Sequence, residues 1–408
     1  INSIEKLPDV DVSTDLGKRI LLLYNAGVLT GSDEYGRFSR RGNPTYRSEA
    51  AAVISRVIQP ELRMKFTPKA LIPPVLKELP LDKADAYITG FDGRYLYATK
   101  GATGKKFIAD LNGKILLETD GQIYPVQGDV VRVGLQAEDE TYSTVYYSLT
   151  GKRLNEKTYA SGTDFNDGLA AVQERQGGEI SLMNTAGEVV RRFENKMHGR
   201  VSSPPSEGYF LVRSENANYM VKIETGEATK LGGLNVDEFS EGMLQVVSDD
   251  YKVGFRNTAL EFAIPYALSA STEDFHSGLA VTMGEGGLFG AIGPDGKVVL
   301  PYQYRHLSSF NADGHAMATV EMDGLWTDCV IDKTGKVIQR FEQKDHSTFT
   351  LHGGIVVRGT IFEYHFYRLD GTEVVPGLVA QNFTASSTGR LIVEVDGKYY
   401  LIDAMAPE

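Results

Sequence analysis

Glycine returns along this chain at a nearly fixed interval, and that interval limits the possible folds more than any other feature. Turn glycines preceded by a small or polar residue stand at Gly113, Gly151, Gly187, Gly226, Gly296, Gly335 and Gly371, with Ala259 in the slot between Gly226 and Gly296. Successive gaps are 38, 36, 39, 33, 37, 39 and 36 residues. A second family opens each unit: Gly93, Gly128, Gly168, Gly208, Gly242, Gly278, Gly314, Gly354 and Gly389. Two landmarks keeping one period define a tandem array.

The clearest unit is "SGLAVTMGEGGLFGAIGPDGKVVLPYQY", residues 277–304. It reads as an alternating strand, a second strand, a tight Pro294-Asp295-Gly296 turn and a third strand. Asp-Gly and Asn-Gly pairs reach the positive-φ conformations that short hairpins demand. Ahead of four first strands comes a phenylalanine in "DFNDG", "EFSEG", "DFHSG" and "SFNADG", giving Phe165, Phe239, Phe275 and Phe310. An aromatic returning once per unit is expected to be a shared core plug. A lone three-stranded sheet cannot bury both faces, so the units must stack. The expected fold is therefore mainly β, with tandem repeats of about 37 residues over 85–408. About eight repeats and a partial one at 389–408 suit a β-propeller-like ring, with the early strand "DAYITGF" completing the terminal blade. An open β-solenoid is the alternative.

These units resemble the WG repeat family, which reads roughly F-x-(D/E)-G-L-A-x-V, then W-G-(Y/F)-I-(D/N)-x-x-G-(K/E)-x-V-I-x-P. Residues 274–304 match best, and the resemblance spans about 85–408. The W-G pair is degraded to Phe289-Gly290, Val253-Gly254-Phe255 or Leu325-Trp326, and the repeats at 93, 128, 208 and 354 diverge. Trp326, standing for the W-G position, is expected to be largely buried at a repeat interface, with Cys329 buried and inert. The family has no catalytic residues to carry over.

Residues 1–65 read differently, as a small helical domain. Ser13-Thr14-Asp15 offers a helix cap, and Leu16, Ile20, Leu23 and Tyr24 form one apolar stripe ended by Gly27. A second helix from Thr45 is expected to bury Ala50, Val53, Ile54, Val57 and Ile58 before Pro60. "NAGVLTG", "GRF" and "YRSEAAAVISR" resemble, in order, an S-layer homology module. The resemblance implies binding of cell-wall polysaccharide, with Arg47 the matched contact to an anionic sugar group. In that reading the loop amides near Gly31 stand beside Arg47; a salt bridge from Arg47 to a nearby acid such as Asp33 or Glu34 is the alternative. Tyr46 and Ser48 depart from that family's pattern, and a single module stands where three usually act together. Residues 66–84, with Pro68, Pro73, Pro74 and Pro80, read as an irregular linker.

Chemistry is sparse. The chain holds 42 Lys and Arg against 54 Asp and Glu, a net charge of −12, and the excess acid falls after residue 70. An acidic body repels phosphate backbones, which argues against nucleic acid as a partner. The single cysteine excludes an internal disulfide and a Cys-rich zinc site. None of the seven histidines forms H-x-x-x-H, and "DVDVSTD" lacks the glycine and the terminal glutamate of a calcium loop, so no metal or cofactor is expected. "GATGKK" lies between strands, not before a helix, and no G-x-S-x-G elbow occurs. No apolar run reaches the ~18 residues of a membrane span. Ile1 opens the chain abruptly, so a leader or further modules are expected to precede it. The expected function is that of a secreted bacterial cell-surface protein without catalysis, its head on wall polysaccharide and its repeats on a glycan or protein ligand. A propeller-type glycan hydrolase or lyase and a structural spacer are the alternatives.

Overall fold

A computed structural model of the chain describes residues 1–5, 15–30, 47–65, 76–82, 85–138, 140–215, 217–232, 235–341, 348–360 and 362–403. The chain divides into two compact units, Ile1–Pro74 and Val75–Glu408.

The first unit contains helices α1 (Asp15–Asn25) and α2 (Arg47–Ile58) and a short 3-10 turn, Pro60–Leu62. Among the described residues the core cluster is Ile4, Ile20 and Tyr24, with Leu21 and Leu29 against them. Asn25 fastens the chain start by accepting from the Ile4 amide at 2.7 Å and donating to the Ile4 carbonyl at 3.0 Å. Gly27 follows the helix at φ 74, and a Cβ there would meet the Met64 carbonyl oxygen at 2.7 Å. The buried stripe is narrower than its spacing predicts: Leu16 is 69% exposed, and Leu23 also faces solvent. In α2, Ile54, Val57 and Ile58 are exposed, while Thr45, where the helix is expected to open, lies outside the described residues. Arg56 of α2 is tied to the segment after α1, donating to the Val28 carbonyl at 3.2 Å.

The second unit is a succession of antiparallel meanders. Eight sheets follow in chain order. The first comprises Ala86–Phe91, Leu96–Lys100, Lys106–Ala109 and Ile115–Thr119. The second, Gln122–Ile123, Val130–Gln136 and Tyr142–Ser148, is extended by bridges to Arg153 and Tyr159. The third spans Ser161–Phe193, the fourth Arg200–Leu231 and the fifth Asn235–Leu268, each with four strands. The sixth has seven strands from Phe275 to Phe341, because Val298–Leu307 pairs with strands on both sides. The seventh comprises Thr348–His352, Ile355–Thr360 and Glu363–Arg368, and the eighth Asn382–Ala385, Arg390–Val395 and Lys398–Asp403.

A fourth strand completes the eighth sheet from the other end of the unit. Leu76–Asp82 pairs antiparallel with Lys398–Asp403. Two expectations are corrected here. The segment read as the end of an irregular linker is a strand, and "DAYITGF" heads the first sheet instead of closing the last. Pro80 is accommodated because the strand lies at a sheet edge and its register shifts between Glu78 and Asp82, so the missing N–H interrupts no central ladder.

Core clusters join each sheet to the next. Val131 and Val133 meet Ile108 and Leu117 of the first sheet, and Val130 and Tyr146 meet Ala170 and Met183 of the third. The series continues through Phe210 with Leu182, Leu211 with Leu244, and Phe255 with Phe275. Within the seven-stranded sheet Leu300 meets Cys329; beyond it Phe341 meets Val356, and Phe366 meets Val393. The series then returns to its start, since Leu79, Ile392 and Leu401 share a cluster with Phe91, Leu96 and Phe107 of the first sheet. Tyr399 reinforces that closure by donating to the Ala86 carbonyl at 3.3 Å. Alternate residues of one strand serve different clusters: Phe210 and Val212 face backward along the chain, Leu211 forward. The middle strands are therefore buried on both faces, which makes them read as apolar runs with little true alternation.

Candidate functional site

In an antiparallel meander the hairpins alternate between two edges of the sheet. Both periodic glycine families lie on one edge, in the first-to-second and third-to-fourth hairpins. There Asp167-Gly168, Glu207-Gly208, Glu241-Gly242 and Ser277-Gly278 form two-residue turns with positive φ at both positions. Adjacent turns are also stitched together: Glu241 accepts from the Ser277 and Gly278 amides, both at 2.7 Å, and Ser277 donates to the Asn311 carbonyl at 2.7 Å. This edge is committed to structure.

The opposite edge carries the second-to-third hairpins and the connections between sheets, and it holds the clefts. The larger, of about 720 Å³, lies between the fifth sheet and the start of the sixth. Its walls include Asp250, Tyr251 and Lys252 from one hairpin, Ser269 from the connection, Glu285 from the next hairpin and Tyr302 from the strand Val298–Leu307. A smaller cleft of about 410 Å³, lined by Glu179, Glu194, Asn195 and His198 among others, occupies the same edge beside the third sheet.

Two glycines seat Tyr302. A Cβ at Gly284 would stand 2.8 Å from its ring, and one at Gly290 2.9 Å. Gly290 also faces Pro301, with the Leu300 carbonyl only 2.6 Å from a built Cβ, and the ladder shifts register between Phe289 and Ala291. Gly254 repeats the arrangement opposite Pro265, with a shift between Val253 and Phe255. Proline removes one ladder donor, the outer strand buckles inward, and only glycine leaves room for it. The W-G…P pattern is thus a single packing unit.

That register corrects the reading of Trp326. Gly254 pairs with Val246 and Gly290 with Thr282; the corresponding residue of the next repeat, Ala318, pairs with Cys329. Asp328-Cys329, not Leu325-Trp326, occupies the slot. No proline stands in the facing strand Val337–Phe341, pairing across Cys329 is regular, and a side chain is tolerated there. Trp326 lies near the hairpin tip past Gly324, half-buried, with the Arg305 guanidinium 5.9 Å from its ring centre. Cys329 is fully buried, and burial, with Asp328 adding to it, pushes its thiol up to about 11.

The remaining residues singled out from the sequence are placed as follows. Phe165, Phe239, Phe275 and Phe310 are all buried, each packed against the preceding repeat. Phe275 meets Phe255 edge to face at 4.8 Å, and Phe165 meets Tyr146 at 5.5 Å. Arg47 is the first residue of α2, its side chain outside the described residues; Gly31 lies outside them altogether. The slot given to Ala259 belongs to Leu260, which has φ 61 and whose amide donates to Asn257 as that of Gly296 does to Gly293. Sequence reasoning missed Tyr251 and Asp250, because their hairpin carries no glycine landmark. The aromatic residue following each proline, Tyr302 or Tyr266, was the available signal.

The fold leaves polar groups of the larger cleft unused. Asp250 accepts from the Ser248 hydroxyl through one oxygen, and its other oxygen has no partner among the described residues. The side chains of Glu285, Tyr251 and Tyr302 likewise have no hydrogen-bond partner among the described residues. No group of three or more His, Cys, Asp or Glu able to hold a metal occurs among the described residues. No helix among them is long and apolar enough to cross a membrane.

Residues 289–326 match the WG containing repeat family. No curated protein matches the chain. Among solved structures, the chain is similar to a eukaryotic initiation factor at 12% identity, covering 74% of this chain and 89% of that one, with a TM-score of 0.51. That likeness is one of fold alone. Hsv2 from Kluyvelomyces marxianus, 10% identical over 70% of this chain and 98% of that one, superposes with a TM-score of 0.36. Streptogramin B lyase, 13% identical over 82% and 99%, reaches 0.30. Neither of these looser likenesses bears on function.

Proposed function

We propose that the second unit is a nine-bladed β-propeller acting as a non-catalytic glycan-binding module on a bacterial cell surface. The cyclic series of core clusters supports the ring. The seven-stranded sheet counts as two blades, and Leu76–Asp82 closes the ninth. An open solenoid has no reason to place Leu79 and Leu401 against Phe91. The observation that carries the function is the larger cleft, where two tyrosine hydroxyls, the Glu285 carboxylate and one oxygen of Asp250 have no hydrogen-bond partner among the described residues. Aromatic faces with hydrogen-bonding groups at their rims suit sugars, which present C–H faces and hydroxyl edges.

In the same reading the head contacts wall polysaccharide, as its likeness to an S-layer homology module suggests. Arg47 opens α2, where a cation gains nothing from the already positive helix end. An anionic sugar group held in a two-pronged contact would compensate. Titration of the intact chain against neutral and acidic oligosaccharides tests the ring, and release of new reducing ends during that titration would overturn the non-catalytic reading. Pull-down of purified wall polysaccharide tests the head. Arg47→Ala and Arg47→Lys are both expected to lose it, whereas retention by Arg47→Lys would make Arg47 a structural ion-pair residue.

A further inference from the structure

Tyr251 sits where the next repeat places glycine and where the loop 137–141 of the second sheet places Glu140, at φ 66. The hairpin Ser248–Lys252 is closed by the Tyr251 amide donating to the Ser248 carbonyl at 3.0 Å and the Ser248 amide donating to that of Lys252 at 2.8 Å. The next repeat has the same loop at 284–288, with Gly287 in the equivalent position at φ 75. Tyr251 holds φ 61 there. A left-handed backbone is costly for a bulky side chain and persists only where something compensates.

Leu260 shows what internal compensation looks like. It takes the same conformation at φ 61 but is only 8% exposed and belongs to the cluster joining the fourth and fifth sheets. Tyr251 is 67% exposed, has no ring contact and leaves its hydroxyl unpaired among the described residues. Its strain is therefore not repaid by packing. The strained tyrosine projects from one wall of the larger cleft, and the glycine-seated Tyr302 lies on another.

We propose that this cleft is a subsite for a neutral or amino sugar, with Tyr251 the stacking platform and Tyr302 the opposing wall. The proposal rests on the glycan-binding reading above and gives it a place and a ligand class. Asp250 and Glu285 accept hydroxyl or ammonium protons, and Lys252 is the single cation in the lining. Two carboxylates against one ammonium oppose an acidic sugar, in contrast to the anionic group assigned to Arg47.

The test compares Tyr251→Gly, Tyr251→Phe and wild type in the intact chain, by calorimetric titration with chito-oligosaccharide and cello-oligosaccharide and with oligogalacturonate as the acidic control. Tyr251→Gly is expected to raise Tm while weakening binding of a neutral or amino oligosaccharide at least tenfold, about 1.4 kcal/mol. Tyr251→Phe, which keeps the ring, is expected to stay within a few-fold of wild type. A lower Tm in Tyr251→Gly would show the tyrosine to be structural, and unchanged affinity would place the sugar elsewhere; either result overturns the subsite while leaving glycan binding intact. Preference of wild type for oligogalacturonate would overturn the ligand class. Absence of binding to every probe would remove the glycan reading and this subsite with it.

Discussion

Phe275 shows how one residue serves two repeats. It is 1% exposed, it packs edge to face on Phe255 of the preceding sheet, and its backbone carbonyl accepts from the Ser240 hydroxyl at 2.6 Å. Phe275→Ala removes a buried ring from an interface that rigid strands cannot collapse into, so a loss of about 3–5 kcal/mol is expected in denaturant unfolding. Cys329 gives a prediction in pH. Burial, then Asp328, raises the folded thiol from 9.0 to about 11, partly offset by Arg340. A raised folded value favours the protonated form, so this contribution is complete below pH 9 and is lost as pH rises towards about 11. The stability advantage of wild type over Cys329→Ala should therefore shrink across that window; a constant difference would contradict it. The native thiol should resist alkylation until the chain unfolds.

At the scale of elements, the glycine facing proline and the closing strand each carry a prediction. Gly290→Ala places a Cβ 2.6 Å from the Leu300 carbonyl oxygen, so the outer strand must shift. The expected cost is roughly 1–3 kcal/mol, as for overpacking elsewhere. Gly278→Ala on the opposite edge has open space around it but φ 82, so its cost is conformational and should leave the Tyr302 wall in place. A chain starting at Ala86 lacks Leu76–Asp82 and exposes the ladder edge of Lys398–Asp403. Unpaired edges recruit other strands. Size-exclusion chromatography should then show self-association together with a lower Tm, and a monomer of unchanged Tm would show the closing strand to be dispensable.

For the whole molecule, the two units differ in what holds them. Among the described residues the first rests on Ile4, Ile20 and Tyr24, whereas the second is tied through a series of clusters that returns on itself. A small core stabilises little, and a closed series has no free end from which to fray. Scanning calorimetry is expected to show a minor transition for the head below a larger cooperative one for the repeats. Limited proteolysis should release a fragment beginning near Val75. A single transition would count against separate unfolding of the head, and progressive loss of repeats from one end would count against the closed ring.

The repeat, its strand content and its buried phenylalanines were legible in the sequence because turn glycines and core plugs are local requirements, imposed again in every unit by the same hairpin geometry. The W-G…P pattern was legible too, but its register was not. Pairing across strands decides which residue faces a proline, so Cys329 and not Trp326 occupies that slot. The closing strand escaped notice for a similar reason: Leu76–Asp82 has no meaning as a strand until Lys398–Asp403 is beside it, more than 300 residues away. The candidate site was the least legible part. Landmark glycines lie on the edge that holds the repeats together, whereas the cleft lies on the other edge, where hairpins are free to differ. Tyr251 became visible only once its backbone conformation was known, because an aromatic at positive φ is recorded in a dihedral angle and not in the spacing of residue types.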